Sequence, residues 1–171
     1  MFDLHIEPIL KKNDVDIYWV FGQSSQIFRK KLVEFWIKNK AIDSEAMAWR
    51  RAFEVACLAI NKSGDIIGVA SVYPDTLPGE TSSLWFYRTF IEPKSIVTSV
   101  ANGLLGSLFE ETIQGLLKLS HEAGAPQGLA IVIENQKLNQ EGKQKFFEDK
   151  GFQLARSAKF SNKVVWTLKF H

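Results

Sequence analysis

Histidine is scarce in this chain and cysteine all but absent. A single cysteine, Cys57, among 171 residues excludes an internal disulfide and any cysteine-rich zinc site. It lies in "VACLAIN", an apolar run that reads as a buried strand, so its thiol fits a small core hydrophobe better than a nucleophile. The three histidines, His5, His121 and His171, fall near each terminus and in a loop, and no two have metal-ligand spacing. No metal is therefore expected. Charge of one sign is lacking too, since a net charge of +2 does not argue for nucleic acid. The basic clusters Lys11-Lys12, Arg29-Lys30-Lys31 and Arg50-Arg51 sit among apolar residues at helical spacing, as solvated faces do. No apolar run approaches the length of a membrane span. "MFDLHIEPILKK" carries early acidic residues and a proline, unlike a signal peptide. A cytoplasmic protein is the default expectation. No G-x-G-x-x-G follows the first strand, and neither a P-loop nor a G-x-S-x-G elbow is present.

What is present is an ordinary globular mix, 46% hydrophobic and 23% charged, enough to build one core; a single domain over 1–171 is expected. "DIYWVFG" reads as a first strand, rich in aromatic and β-branched residues. Ser24 or Ser25 then caps a helix to about Lys40, with Phe28, Leu32, Phe35 and Trp36 inward. A second helix opens at Asp43-Ser44, with Ala46, Met47, Trp49 or Arg50, and Phe53 expected inside. "VACLAIN" and "IIGVASVYP" flank the polar turn "KSGD" as an antiparallel hairpin. Residues 74–83 read as a loop. "LWFYRTFIEP" is the next strand, stopped by Pro93. A long helix follows, with Leu104, Leu108 and Leu116 on one ridge and Leu105, Phe109, Ile113 and Leu117 on the next. "HEAGAPQG" breaks it before the apolar strand "LAIVIEN". A polar helix around 139–150 and the strands "FQLARSAKF" and "KVVWTLKF" complete the chain. The order predicts a mixed α/β sheet, mostly antiparallel and of about six to seven strands, with helices on both faces. The crossover helix predicts that the strands at 84–92 and 129–134 pair in parallel.

The segment most suggestive of chemistry is "FIEPKSIVTSVANGLLGSLFEE". Small and hydroxyl residues lead into an apolar helix, whose N-terminus offers unpaired N–H groups and a positive dipole end. Ser99, Ala101, Asn102 and Gly103 suit a pyrophosphate; a capped helix start, with Ser99 or Asn102 as cap, is the plainer reading. "KFFEDKGFQL" poses a similar choice. Phe146 and Phe147 close a polar helix just before Gly151, either as packing for its last turn or as part of a site.

Taken in order, these stretches resemble the GNAT acetyltransferase superfamily over most of the chain. "INKSGDIIGVASV" is similar to that family's second and third strands, with Gly68 in the "IIG" step. "FIEP" is similar to the end of its fourth strand, "LAIVIEN" to its fifth, and "KFFEDKGF" to its "lYEKLGF" helix end. The resemblance implies an acyl-CoA-dependent N-acetyltransferase with acetyl-CoA as co-substrate. Its acceptor would be a small-molecule or peptide amine, with no nucleic acid or membrane partner and with a homodimer left open. The pantetheine arm would bond to backbone near Phe90 and Ile91, and the pyrophosphate would lie on the amides of Ser99, Val100, Ala101, Asn102, Gly103 and Leu104. The loop departs from the family pattern: Gly103 comes late after Pro93, Val100 replaces an Arg or Gln, and Leu105 a small residue. Phe147 stands where the family often has a tyrosine that protonates the leaving thiolate; phenylalanine has no proton to give. Tyr87 and Glu92 are the candidates for acid/base work, with Glu134 across from them. The alternative reading is a catalytically impaired GNAT-fold protein that holds acyl-CoA or another ligand.

Overall fold

The computed structural model describes residues 6–12, 14–23, 25–96, 100–133, 141–155 and 163–170, except the side chains of 96, 100–102 and 141–143. Its strands form one eight-stranded sheet in the order β1-β2-β3-β4-β5-β6-β8-β7. These are β1 (Leu10–Lys12), β2 (Val15–Trp19), β3 (Val55–Asn61), β4 (Ile66–Thr76), β5 (Ser83–Ile91), β6 (Gly128–Ile133), β7 (Gln153–Ala155) and β8 (Val164–Lys169). The helices are α1 (Gln26–Lys38), α2 (Glu45–Arg51), α3 (Pro93–Ile96), α4 (Val100–Leu119) and α5 (Glu141–Asp149). The count exceeds the expected six to seven by β1, which pairs antiparallel with β2. β5 and β6 pair in parallel, as the crossover helix predicted, with Trp85↔Leu129, Phe86↔Ala130 and Tyr87↔Ile131 in register.

The chain divides into two compact units. The first comprises Met1–Ser71 and Thr89–Gly115. In it, Ser25 caps α1 by accepting from Phe28 N at 3.2 Å, and Ser44 caps α2 by accepting from Met47 N at 3.4 Å. Both caps satisfy an otherwise orphaned amide. Phe28, Leu32, Phe35 and Trp36 of α1 then pack with Val55, Leu58, Ile60 and Val69. Alternation along β3 turns Cys57 and Ala59 to the other face, where α4 lies. There, Leu108 Cδ1 would sit 3.1 Å from a Cβ on Gly68, and Ala59 Cβ 3.4 Å from it. The glycine of the "IIG" step therefore lets α4 settle on the sheet.

One expected core fails. α2 buries Ala48, while Met47 and Phe53 are 41% and 59% exposed. The helix tightens into a 3₁₀ turn at Ala52–Glu54, which rotates Phe53 off the inward face. The Arg29 guanidinium covers its ring instead, 4.2 Å from the centroid.

The second unit comprises Val72–Arg88 and Leu116–His171. β6 lies between β5 and β8, and Leu77, Leu84, Phe86, Ala130 and Val165 form its buried cluster. Trp166, one residue on from Val165, faces the aromatic end of α5.

Candidate functional site

Sequence reasoning placed a phosphate loop between Pro93 and Gly103. Much of that stretch is helical: Pro93 opens α3 and Val100 opens α4. Proline suits a first helical position because its missing N–H would be an orphan there anyway. Ser99 lies outside the described residues, and of Val100, Ala101 and Asn102 only the helical backbone is described. With α4 starting at Val100, the amides of residues 100–102 lie in its first turn, ahead of the helix's own ladder. From Gly103 on, the N–H groups enter the helix's own ladder, and the Leu104 side chain is 3% exposed. Leu104 is thus a core residue, leaving Val100 to Asn102 as the amides open to an anion, with Gly103 next to them.

A cation stands beside them. A Cβ on Gly103 would lie 3.0 Å from Lys12 Nζ and 3.7 Å from its Cε. Lys12 Nζ also reaches Ser107 Oγ at 3.5 Å, while that hydroxyl donates to Gly103 O at 2.8 Å. No sequence signal marked Lys12: β1 is three residues long, without alternation, and 91 positions from Gly103.

The end of β5 leads into this helix. Thr89 Oγ1 donates to Val69 O at 3.2 Å and Glu92 N to Ile67 O at 2.9 Å. Phe90 sets its ring edge-on to Phe35, with centroids 5.7 Å apart, and Ile91 is buried near Gly68. Glu92 is half-buried and its carboxylate accepts from Ser95 Oγ at 3.0 Å, capping the turn that opens α3. Its side chain is thus engaged in local structure. Tyr87, in the second unit, is 9% exposed and in register with Ile131. Glu134 lies outside the described residues.

Phe147, also in the second unit, ends α5 in a tightly specified way. Phe152 N donates to Phe147 O at 2.9 Å and Gly151 N to Glu148 O at 2.9 Å, with Gly151 at φ 82°. That is a Schellman motif, with glycine at the left-handed position and an apolar contact across it. The contact here is Phe147 against Phe152, centroids 5.5 Å apart, and Phe147 also stacks on Trp166 at 5.4 Å and 20°. Phe147 is thereby explained by packing while keeping a half-buried face, and Phe146 stays 45% exposed beside it.

Cys57 is fully buried and its thiol stays protonated at neutral pH. Burial pushes its thiol up to about 12, and hydrogen bonding with Thr112 opposes this only in part. Among the described residues, no three His, Cys, Asp or Glu side chains group to hold a metal. No helix of the described residues is long and apolar enough to cross a membrane.

No family model matches the sequence, and no curated protein matches it. Solved structures do. A GNAT-family acetyltransferase from Streptococcus pneumoniae is similar with a TM-score of 0.56 at 14% identity, covering 92% of this chain and 100% of its own. A GNAT-family N-acetyltransferase from Escherichia coli, solved in complex with CoA, is similar with a TM-score of 0.58 at 15% identity, over 96% of this chain and 84% of its own. The chain has the GNAT fold. NAA60 from Arabidopsis thaliana, solved with acetyl-CoA, shares this fold at a TM-score of 0.50 and 8% identity, over 91% of this chain and 98% of its own. At such identities the likeness is one of fold, which in this chain includes the parallel β5–β6 step.

Proposed function

We propose that this protein is an acyl-CoA-dependent N-acetyltransferase acting on a small-molecule or peptide amine, with acetyl-CoA as co-substrate. One observation carries the reading: in a GNAT fold, α4 opens with unladdered amides at 100–102 and a glycine at 103. A glycine at 103 suits close approach of a phosphate, because a Cβ there would occupy the space before Lys12 Nζ. The E. coli and Arabidopsis neighbours, solved with CoA and acetyl-CoA, support the same co-substrate here.

Acetyl-CoA supplies an acetyl group activated as a thioester. In this reading, the amides of Val100 to Asn102 bind its phosphates beside Gly103, the Phe90 and Ile91 backbone aligns its arm, and an N–H near Ile91 polarises the carbonyl. The acceptor ammonium must lose a proton before attack, and Tyr87 and Glu92 are the candidate residues for proton handling. Phe147 contributes a ring and no proton, so the thiolate, whose conjugate acid has a pKa near ~8.5, leaves unassisted. Phe147→Tyr is therefore expected to keep or modestly raise turnover, read by thiol release across an amine panel. Abolition of activity would remove Phe147 from the site.

The proposal is tested by calorimetric titration of CoA into wild type and Gly103→Asp. An aspartate at 103 sets a carboxylate against the phosphates and within reach of Lys12. The expected loss is about 1–3 kcal/mol, roughly ten- to a hundred-fold in affinity, at unchanged melting. Equal affinities would place the phosphates elsewhere. A second reading, a ligand-binding GNAT-fold protein without turnover, is favoured by the missing hydroxyl at Phe147. CoA binding without thiol release on any amine would select it.

A further inference from the structure

We infer that Lys12 contacts a phosphate of the acyl-CoA co-substrate, an inference that rests on the function just proposed. The ammonium stands where helix electrostatics disfavour it. The first turn of a helix carries partial positive charge, and a cation beside it is unfavourable unless an anion joins them. Yet Lys12 Nζ lies 3.5 Å from Ser107 Oγ, and 3.0 Å from where a Gly103 Cβ would be. Among the described residues no carboxylate comes within ion-pair distance of it.

Three features keep the ammonium there. Lys12 is paired with Val15 in the β1–β2 ladder, which anchors its backbone. The Ser107 hydroxyl spends its proton on Gly103 O, so its lone pairs face Lys12 as acceptors. Gly103 presents no side chain to push the ammonium aside. The stretch from Ser95 to Leu104 holds no Lys or Arg, so a cation at this point has to come from another element. A phosphate over the amides of 100–102, next to Gly103, would meet both those N–H groups and this charge. Lys12 thereby takes the part of the loop's missing basic or amide side chain.

The test measures binding of CoA, dephospho-CoA and S-acetylpantetheine to wild type, Lys12→Gln and Lys12→Arg at low and high salt. Lys12→Gln is expected to weaken CoA about five- to ten-fold at low salt and less at high salt, as for one screened charge-assisted contact. Lys12→Arg should restore most of the affinity. S-acetylpantetheine, which has no phosphate, should bind all three proteins alike. A loss that persists with dephospho-CoA assigns the contact to the pyrophosphate, and a loss that vanishes assigns it to the 3′-phosphate. Unchanged CoA affinity in Lys12→Gln overturns the inference while leaving the proposed function standing. An equal loss for S-acetylpantetheine overturns it too, because Lys12 would then act on the fold. Wild type that binds none of the three overturns the proposed function itself.

Discussion

Gly128→Ala is expected to cost on the order of 3–5 kcal/mol, the range reached by only a few point mutations. Gly128 opens β6 opposite Lys169 of β8. A Cβ on it would run into the carbonyl oxygen of Leu168 and come within 2.9 Å of Leu84 Cδ2. A leucine tip can rotate away; a carbonyl in a neighbouring strand cannot. Relief requires β6 and β8 to separate locally, which strains the ladder that runs on to Ile133↔Val164. For a chain of this length the cost corresponds to a fall in melting temperature of about 10 °C, or to failure to fold. Circular dichroism melting decides it. A change within 2 °C or so, about the size expected for a surface substitution, would mean that the strand spacing at Gly128 is looser than described.

Gly115→Ala is expected to destabilise by about 2 kcal/mol, although alanine is the better helix former by about 1 kcal/mol. The new methyl would enter the six-membered ring of Trp19, meeting Cζ3, Cη2 and Cε3. The indole would have to swing off α4 and give up its tilted contact with Phe21, now 5.8 Å between centroids. Melting and the tryptophan emission maximum should shift together. Combining the change with Trp19→Ala separates clash from propensity. Once the ring is gone, Gly115→Ala should become neutral or stabilising, a coupling that only direct contact produces. Additive costs would place Trp19 elsewhere.

These two glycines show where a single sequence is silent. Gly128 follows "HEAGAPQ" and reads as the end of a loop, because nothing local reveals the carbonyl waiting in β8. By contrast "KSGD" announced its hairpin. Asn61 Oδ1 accepts from Asp65 N at 2.9 Å and Gly64 takes φ 82°, chemistry confined to a few neighbouring residues. The α1 and α2 caps and the parallel β5–β6 step were legible for the same reason, since serine caps and long crossovers leave local marks. Phe53 was misread because helical spacing was carried past Arg51 into a 3₁₀ turn. Pro93 read as a strand stop and is also a helix start. The candidate site was half legible. Gly103 stood out by composition, whereas Lys12 reaches it across the fold from a strand too short to announce itself.

The strand order also bears on how copies of this chain can meet. A sheet edge exposes a row of unsatisfied N–H and C=O groups that can recruit a strand from another molecule. Here the order ends at β1 and β7, each three residues long as described. So short a row supports few intermolecular rungs, and the exposed Lys11 and Lys12 on β1 add charge repulsion against an identical edge. Among the described residues, strand-to-strand growth is thereby blunted at the β1 edge. If two copies meet at the β1 edge, few ladder rungs are on offer and side chains have to carry the contact.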